Sequence, residues 1–318
     1  MPAALSTEQQ WIETIKQLTN EELIGDDCAL LPDGSLITTD MLVEGNHFLA
    51  AKTSLYDLGW KSVAVNLSDI AAMAGVPQFA VVGLALPGAF AADKFRELYS
   101  GISDCARHFG TRIVGGDLTR ADQIVISVSL IGKGGAGGVM TRSGARIGDV
   151  VITSGDFGAS AAGLWLILSE TPGFDYCRSR HLRPSPRLSE ARDLGQCSGG
   201  LGALMDASDG LADALLQIAR ASGVGIEIDY EEISVHEQTK EVAALSSQDV
   251  MDLALYGGED YELVAAVSLD CFRRLQEQGL PFKKIGSVVE GSEVLLRRGG
   301  DLLGAVAAGK SFQHWSAG

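Results

Sequence analysis

Positive charge is scarce in this chain. Its 318 residues carry 25 Lys and Arg against 41 Asp and Glu, a formal net charge of −16 with histidine neutral. So acidic a chain repels phosphate, which argues against a general binder of nucleic acid or of anionic membrane. Cysteine is sparse too. The five cysteines (Cys28, Cys105, Cys177, Cys197 and Cys271) are odd in number and scattered, with no CxxC pair and no histidine at zinc spacing. Free thiols in a reducing cytoplasm are therefore expected, rather than a disulfide framework or a zinc module. Long apolar runs are missing as well. The longest stretch, residues 79–92, is broken by Gly83 and by Pro87 and Gly88, short of the ~20 residues that span a bilayer. The opening MPAALSTEQQWIETIKQL has no basic start followed by an apolar run. It reads not as a secretory signal but as a helix, with Thr7 and Gln10 spaced as a capping box.

What the chain does have is core material and glycine, 39 residues of the latter. Apolar residues make up 46% and charged residues 21%, a globular composition, and a chain of this length usually divides into two domains. Short β-type runs at 35–39, 80–86, 111–114, 124–131, 149–153, 225–228, 261–267 and 293–296 alternate with helical patterns. Those patterns fall at 55–73, 91–108, 160–168, 210–221 and 269–278. The alternation predicts an α/β (α+β) fold. The helical period is clearest at Leu211, Leu215, Ile218 and Ala219, which share one face. Composition shifts at GKGGAGG, residues 132–138, with five glycines in seven positions. This reads as a hinge between an N-terminal domain, 1–136, and a C-terminal domain, 137–318. A phosphate-cradling loop is the alternative, although the GxxxxGK[ST] spacing is absent.

The acids are unevenly placed. Asp26 and Asp27 follow Gly25, Asp40 ends a β-type run behind Thr38 and Thr39, and Asp69 shares a helical pattern with Asn66. Asp117 follows Gly115 and Gly116, Asp206 and Asp209 flank Ala207 and Ser208, and Glu259 and Asp260 follow Gly257 and Gly258. Carboxylates at strand ends beside glycine suit the crevice in which α/β sheets bind ligands. Oxygen donors without His or Cys select Mg²⁺, Mn²⁺ or Ca²⁺ over zinc. Two carboxylates ~4 Å apart repel by roughly 4 kcal/mol at an effective dielectric of about 20, so a gathered cluster calls for a cation or raised pKa values. Each element also has a plain reading. Asp209 or Ser208 suits a helix N-cap, and Asp206, Asp209 and Asp213 would share a helical face that solvation alone explains. Asp26-Asp27 and residues 258–260 suit turns. Thr38 and Thr39 are good strand residues, and an isolated His47 suits surface or core.

Several motifs follow in order: GDDCALL (25–31), TTDMLVEGNHF (38–48), KSVAVNLSDIAAMAG (61–75), IVGGDLTR (113–120) and TRSGARIGD (141–149). Then come SGDFGASAAGL (154–164), RHLRPSPR (180–187), DASDGLADAL (206–215) and GGEDYEL (257–263). From about residue 23 onward the chain resembles the thiamine-monophosphate kinase family, within the aminoimidazole ribonucleotide synthetase superfamily. The resemblance implies an aminoimidazole ribonucleotide synthetase-like fold of two α/β domains. The N-terminal sheet would form a barrel across a homodimer, with ATP in the cleft beside the C-terminal domain. It implies a kinase that converts ATP and thiamine monophosphate to ADP and thiamine diphosphate, the last step in making that coenzyme, with several Mg²⁺ ions. By the same resemblance, Asp27, Thr38, Thr39, Asp40, Asp69, Asp117, Asp206 and Asp209 are metal ligands. Gly116, Asp117, Arg142 and Ser208 match nucleotide contacts, and His47 and Glu259 match contacts to thiamine phosphate. An aromatic near the C-terminus is expected against the thiamine rings, with Phe312 favoured over Trp315.

The chemistry agrees. Phosphoryl transfer through a loose transition state needs in-line positioning and charge stabilisation, and an acceptor phosphate already ionised needs no strong base. Asp69, Asp117, Asp209 and Arg142, the last a fixed positive charge, are the expected catalytic elements of a direct transfer without a phosphoenzyme. Selenophosphate synthetase is disfavoured because no cysteine or glycine-rich catalytic segment precedes Gly25, and a hydrogenase-maturation relative because the chain ends HWSAG rather than in a cysteine tail. The lack of a D-x-[DN]-x-[DN]-G loop disfavours an acidic Ca²⁺-binding protein.

Overall fold

Helix α1 (Thr7–Thr19) precedes a first sheet built from β1 (Ala29–Leu30), β2 (Ser35–Val43), β3 (Gly75–Leu86), β4 (Arg112–Arg120) and β5 (Val125–Gly134). Helix α2 (Leu55–Ala72) connects β2 to β3, and α3 (Ala92–His108) connects β3 to β4. The structure, a computed structural model, describes residues 7–307 and residue 310. Strands run in the order β1-β2-β5-β3-β4. Only β3 and β4, joined through a helix, are parallel; the other pairs are antiparallel. The two-residue period of β2 makes the sheet one-sided. Leu36, Thr38 and Leu42 are buried on the helix-covered face, while Ile37, Thr39 and Met41 are exposed on the other.

Ser54 starts α2 by accepting the Asp57 N–H. The helix is then buried along most of its length, because it lies between the first sheet and elements of the second half, α6 and β7 among them. That second half comprises β6 (Val150–Thr153), α4 (Ala159–Leu168), α5 (Asp175–Leu182), α6 (Leu188–Ser198), β7 (Ala203–Asp206), α7 (Leu211–Ser222) and β8 (Gly225–Asp229). It continues through α8 (Glu237–Ser246), α9 (Val250–Tyr256), β9 (Leu263–Val267), α10 (Leu269–Glu277), β10 (Lys283–Val289), β11 (Val294–Arg298) and β12 (Asp301–Ala305). The second sheet is also mixed, in the order β12-β11-β8-β10-β6-β9-β7, with β11 and β8 parallel. Helix α7 buries Leu211, Leu215, Ile218 and Ala219 against one face, as the period predicts. Leu194 of α6 and Leu275 of α10 pack on the other face, in a core that also takes in Ala71 of α2 and Ala74 just beyond it.

Within one chain the first sheet is open and five-stranded. Three expectations need correction. Asp206 ends β7 rather than starting a helix, so it shares no helical face with Asp209 and Asp213. Helix α7 is preceded by Gly210 with no side-chain cap, so neither Ser208 nor Asp209 fills that role. Gly132 and Gly134 lie within β5, which leaves only the later glycines of the 132–138 run to form a turn. All five cysteines are free. Among the described residues no helix is long and apolar enough to cross a membrane.

Candidate active site

Helix α2 backs the site. Thr38 Oγ1 on β2 donates to Asp69 Oδ2 at 2.5 Å, and the Asp40 N–H donates to Asn66 Oδ1 at 3.1 Å. The Ser68 hydroxyl reaches the other half of the chain, donating to Asp206 Oδ2 at the end of β7. Asp27, Asp69 and Asp206 thereby each present a carboxylate oxygen within 4.8 Å of the others. Asp206 is 0% exposed, and its Oδ1 has no hydrogen-bond partner. Burial, then the charge of Asp27, pushes Asp206 up to about 8. Burial and the charges of Asp40, Asp206 and Asp27 hold Asp69 well above the usual carboxylate range, and burial lifts Asp40 to about 6. Proton uptake of this kind is what crowded, desolvated carboxylates do without a cation. An all-oxygen donor set with an orphaned buried oxygen fits a hard divalent ion such as Mg²⁺.

A guanidinium lies against this cluster. Arg142 Nη2 and Nε donate to Asp27 Oδ1 and Oδ2 at 2.8 and 3.2 Å, a two-point contact suited to a carboxylate. Its Nη1 donates to Gln217 Oε1 of α7 at 2.6 Å, and its backbone N–H to Asp26 Oδ1 at 2.7 Å. Asp26 therefore anchors the Arg142 main chain, whereas Asp27 belongs to the cluster.

The DASDG and GGEDYEL loops meet next to it. The Glu259 N–H donates to Ser208 O at 2.5 Å. Gly258, at φ +69°, sits where a Cβ would stand 3.1 Å from that same carbonyl. Asp209, on this loop, is raised to about 7 by burial and by Asp213. Glu259 Oε2 accepts from Lys61 Nζ at 2.9 Å and lies 3.3 Å from His181 Nδ1. Burial alone would raise Glu259, but Lys61 and His181, with a smaller influence from His47, bring it below the usual range. His47 Nδ1 accepts the Val43 N–H at 3.0 Å, at the end of β2.

Not every expected residue joins. The Thr39 hydroxyl donates to Val128 O at 3.1 Å and lies 3.0 Å from Ser129 Oγ, on the sheet face away from α2. Asp117 pairs across β3 with Gly83 on that same outer face and is exposed. Gly116 beside it is pressed onto β3, where a Cβ would fall 1.9 Å from Val82 O. Phe312 and Trp315 lie outside the described residues.

Family models match both halves of the chain. The AIR synthase related protein N-terminal domain matches residues 25–133, and the corresponding C-terminal domain matches residues 146–297. The chain is 37% identical over 310 residues to a thiamine-monophosphate kinase of Bacillus subtilis, covering 92% of this chain and 93% of that one. The chain belongs to the thiamine-monophosphate kinase family. A second relative so named, from Synechococcus elongatus, is 34% identical over 322 residues, covering 97% of this chain and 96% of its own. Among solved structures, one described as AaThiL complexed with AMPPCP and TMP superposes with a TM-score of 0.86 at 31% identity. That match covers 98% of this chain and 99% of the other.

Within this thiamine-monophosphate kinase family member, four side chains at the site received no role from the sequence, although Lys61, Ser68 and His181 lie inside the motifs at 61–75 and 180–187. Lys61 and His181 grip Glu259, Ser68 holds Asp206, and Gln217 holds Arg142. Lys61 leaves one trace in the sequence: a lysine inside a helix otherwise apolar on nearly every side needs a buried anion. For the others nothing local names the partner, since Asp206, Glu259 and Arg142 are remote in the chain.

Proposed function

We propose that the chain transfers the γ-phosphoryl group of ATP directly to the phosphate of thiamine monophosphate, giving ADP and thiamine diphosphate. The observation that carries this reading is the convergence of Asp27, Asp69 and Asp206 beside Arg142, in a chain alike along 98% of its length to a relative bound to AMPPCP and TMP. Asp27, Asp69 and Asp206, with Thr38, Asp40 and Asp209 nearby, would hold Mg²⁺. Bound there, the metal would offset the repulsion between two anionic phosphates.

The chain's own residues supply the rest. Arg142 offers a fixed positive charge to phosphate oxygens, held in place by Gln217 and by the Asp26 contact to its backbone. Ser208 and Gly116 serve the nucleotide in this reading. Glu259, kept ionised by Lys61, and His47 face the thiamine phosphate. The acceptor monoester has a second pKa of about 6, so it is a nucleophile at neutral pH without a general base. Direct transfer without a phosphoenzyme follows.

The reading includes a homodimer, a cytoplasmic setting where ATP is abundant, and a domain boundary at residues 136 and 137. The outer face of the first sheet supports the dimer. Ile37, Met41, Phe79, Val81 and Ile131 are all exposed there, 54% in the case of Met41, a contiguous apolar face that a second copy would cover. Thr39, Asp117 and Gly116 would lie at that seam and complete their role there. The test is thiamine diphosphate formation from ATP, Mg²⁺ and thiamine monophosphate by purified protein. The expected product appears in step with ADP, and folded protein that makes none overturns the reading.

A further inference from the structure

Lys61 and His181 stand behind Glu259 rather than beside it. Side-chain exposure is 30% for Glu259 but 5% for Lys61 and 9% for His181, so neither base meets the cleft directly. Both converge on one oxygen, Glu259 Oε2, from different parts of the fold: Lys61 from α2 under the first sheet and His181 from α5 of the second half. His181 Nδ1 also lies 3.1 Å from Ser160 Oγ, which orients the ring. The backbone is fixed independently. Glu259 and Tyr261 adopt φ of +56° and +53°, left-handed values that non-glycine residues hold only when their surroundings enforce them. The Glu259 N–H bond to Ser208 O supplies that enforcement.

A carboxylate so tightly held has one evident use in a site that takes thiamine phosphate, whose thiazolium ring carries a permanent positive charge. We propose that Lys61 and His181 are positioning residues for substrate selection. They hold Glu259 in a single rotamer aimed at the cationic heterocycle and do not touch the substrate themselves. The proposal rests on the functional reading above. Burial and Lys61 keep His181 neutral, lowering it to about 4, so the pair is one cation and one neutral donor. Replacing Lys61 releases Glu259 from its main anchor. Replacing His181 with Asn keeps a donor.

The test is steady-state kinetics on the full-length protein with K61M, K61R, H181F, H181N, E259Q and the double variant K61M/E259Q, each checked for folding by circular dichroism. K61M is expected to raise KM for thiamine monophosphate by about tenfold or more, with kcat and KM for ATP within about threefold. K61R and H181N recover most of the loss, and K61M/E259Q is no worse than E259Q alone, because Lys61 acts through that carboxylate. A fall in kcat with KM for thiamine monophosphate unchanged overturns the proposal, as does additivity of K61M and E259Q. If K61M does not fold, the comparison of H181F with H181N decides, and equal KM values for those two overturn it. Wild-type protein with no turnover of thiamine monophosphate overturns the functional reading and this proposal with it, whereas an active wild type with additive variants overturns this proposal alone.

Discussion

Lys61 Nζ lies 2.9 Å from Glu259 Oε2, 198 residues further along the chain. The two belong to different sheets' surroundings, α2 and the loop before β9. The acidic cluster is built the same way, with Asp69 from α2, Asp27 from the segment before β1 and Asp206 from β7. The site therefore exists only where the two halves meet, and α2 is the element common to both.

Metal-free protein is expected to lose stability as pH rises. Asp40 and Asp206 have folded-state values of about 6 and about 8 against the usual 3.8. The folded state thus binds more protons, and the resulting stabilisation is full below about pH 4 and lost as pH climbs through 8. Thermal melts in EDTA should fall across that window, with Mg²⁺ giving its largest upward shift at the alkaline end. D206N should flatten the slope and abolish the Mg²⁺ shift. A pH-independent melt in EDTA would falsify this account of the cluster.

The opposite sign holds at His181. Its folded value of about 4 lies below the usual 6.5, so it adds stability that is complete above pH 6.5 and lost as pH falls through 4. At about 1.4 kcal/mol per pH unit the loss is about 3 kcal/mol. Urea unfolding of wild type and H181N between those limits measures it: the variant's curve should be flatter, and parallel curves would contradict the assignment.

Glu262 is 0% exposed and ties together Arg180 Nη2 at 2.5 Å, Arg187 Nε at 2.8 Å and Ser154 Oγ at 2.5 Å. E262Q leaves one buried and one half-buried guanidinium group without their counter-ion. Breaking such a group typically costs about 3–5 kcal/mol, readable by chemical denaturation. A loss under about 1 kcal/mol would mean the arginines find other partners.

Charges introduced on the outer face of the first sheet should separate the dimer without unfolding the chain. Met41 and Val81 are 54% and 42% exposed, so M41E and V81D should cost little in a lone protomer. Light scattering is expected to show a monomer for each, with wild-type circular dichroism and reduced activity because Asp117 lies on that face. A dimer that survives both substitutions would contradict the assignment of this face.

Much of this was readable in advance, for physical reasons. Asp27 stands out beside Gly25, Asp69 in a helical pattern and Asp206 in the DASDG run, and the structure gathers all three. The 3.6-residue period identifies the buried face of α7. The β-type run of β2 was legible, but both its threonines were expected as ligands; the two-residue period sends Thr38 to the cluster and turns Thr39 away. Strand β7 was not legible, because four residues, ALMD, fall between a glycine-rich turn and the DASDG loop. His181 and Gln217 were invisible, since what makes them functional is a partner supplied by tertiary packing.

The central claim is direct phosphoryl transfer to thiamine monophosphate, and a single-turnover experiment with γ-³²P-labelled ATP and Mg²⁺ tests it most directly. The label should pass to thiamine diphosphate in step with ADP release, with none retained on denatured protein at any time point. Label recovered only as inorganic phosphate, or held on the protein before product appears, would contradict it.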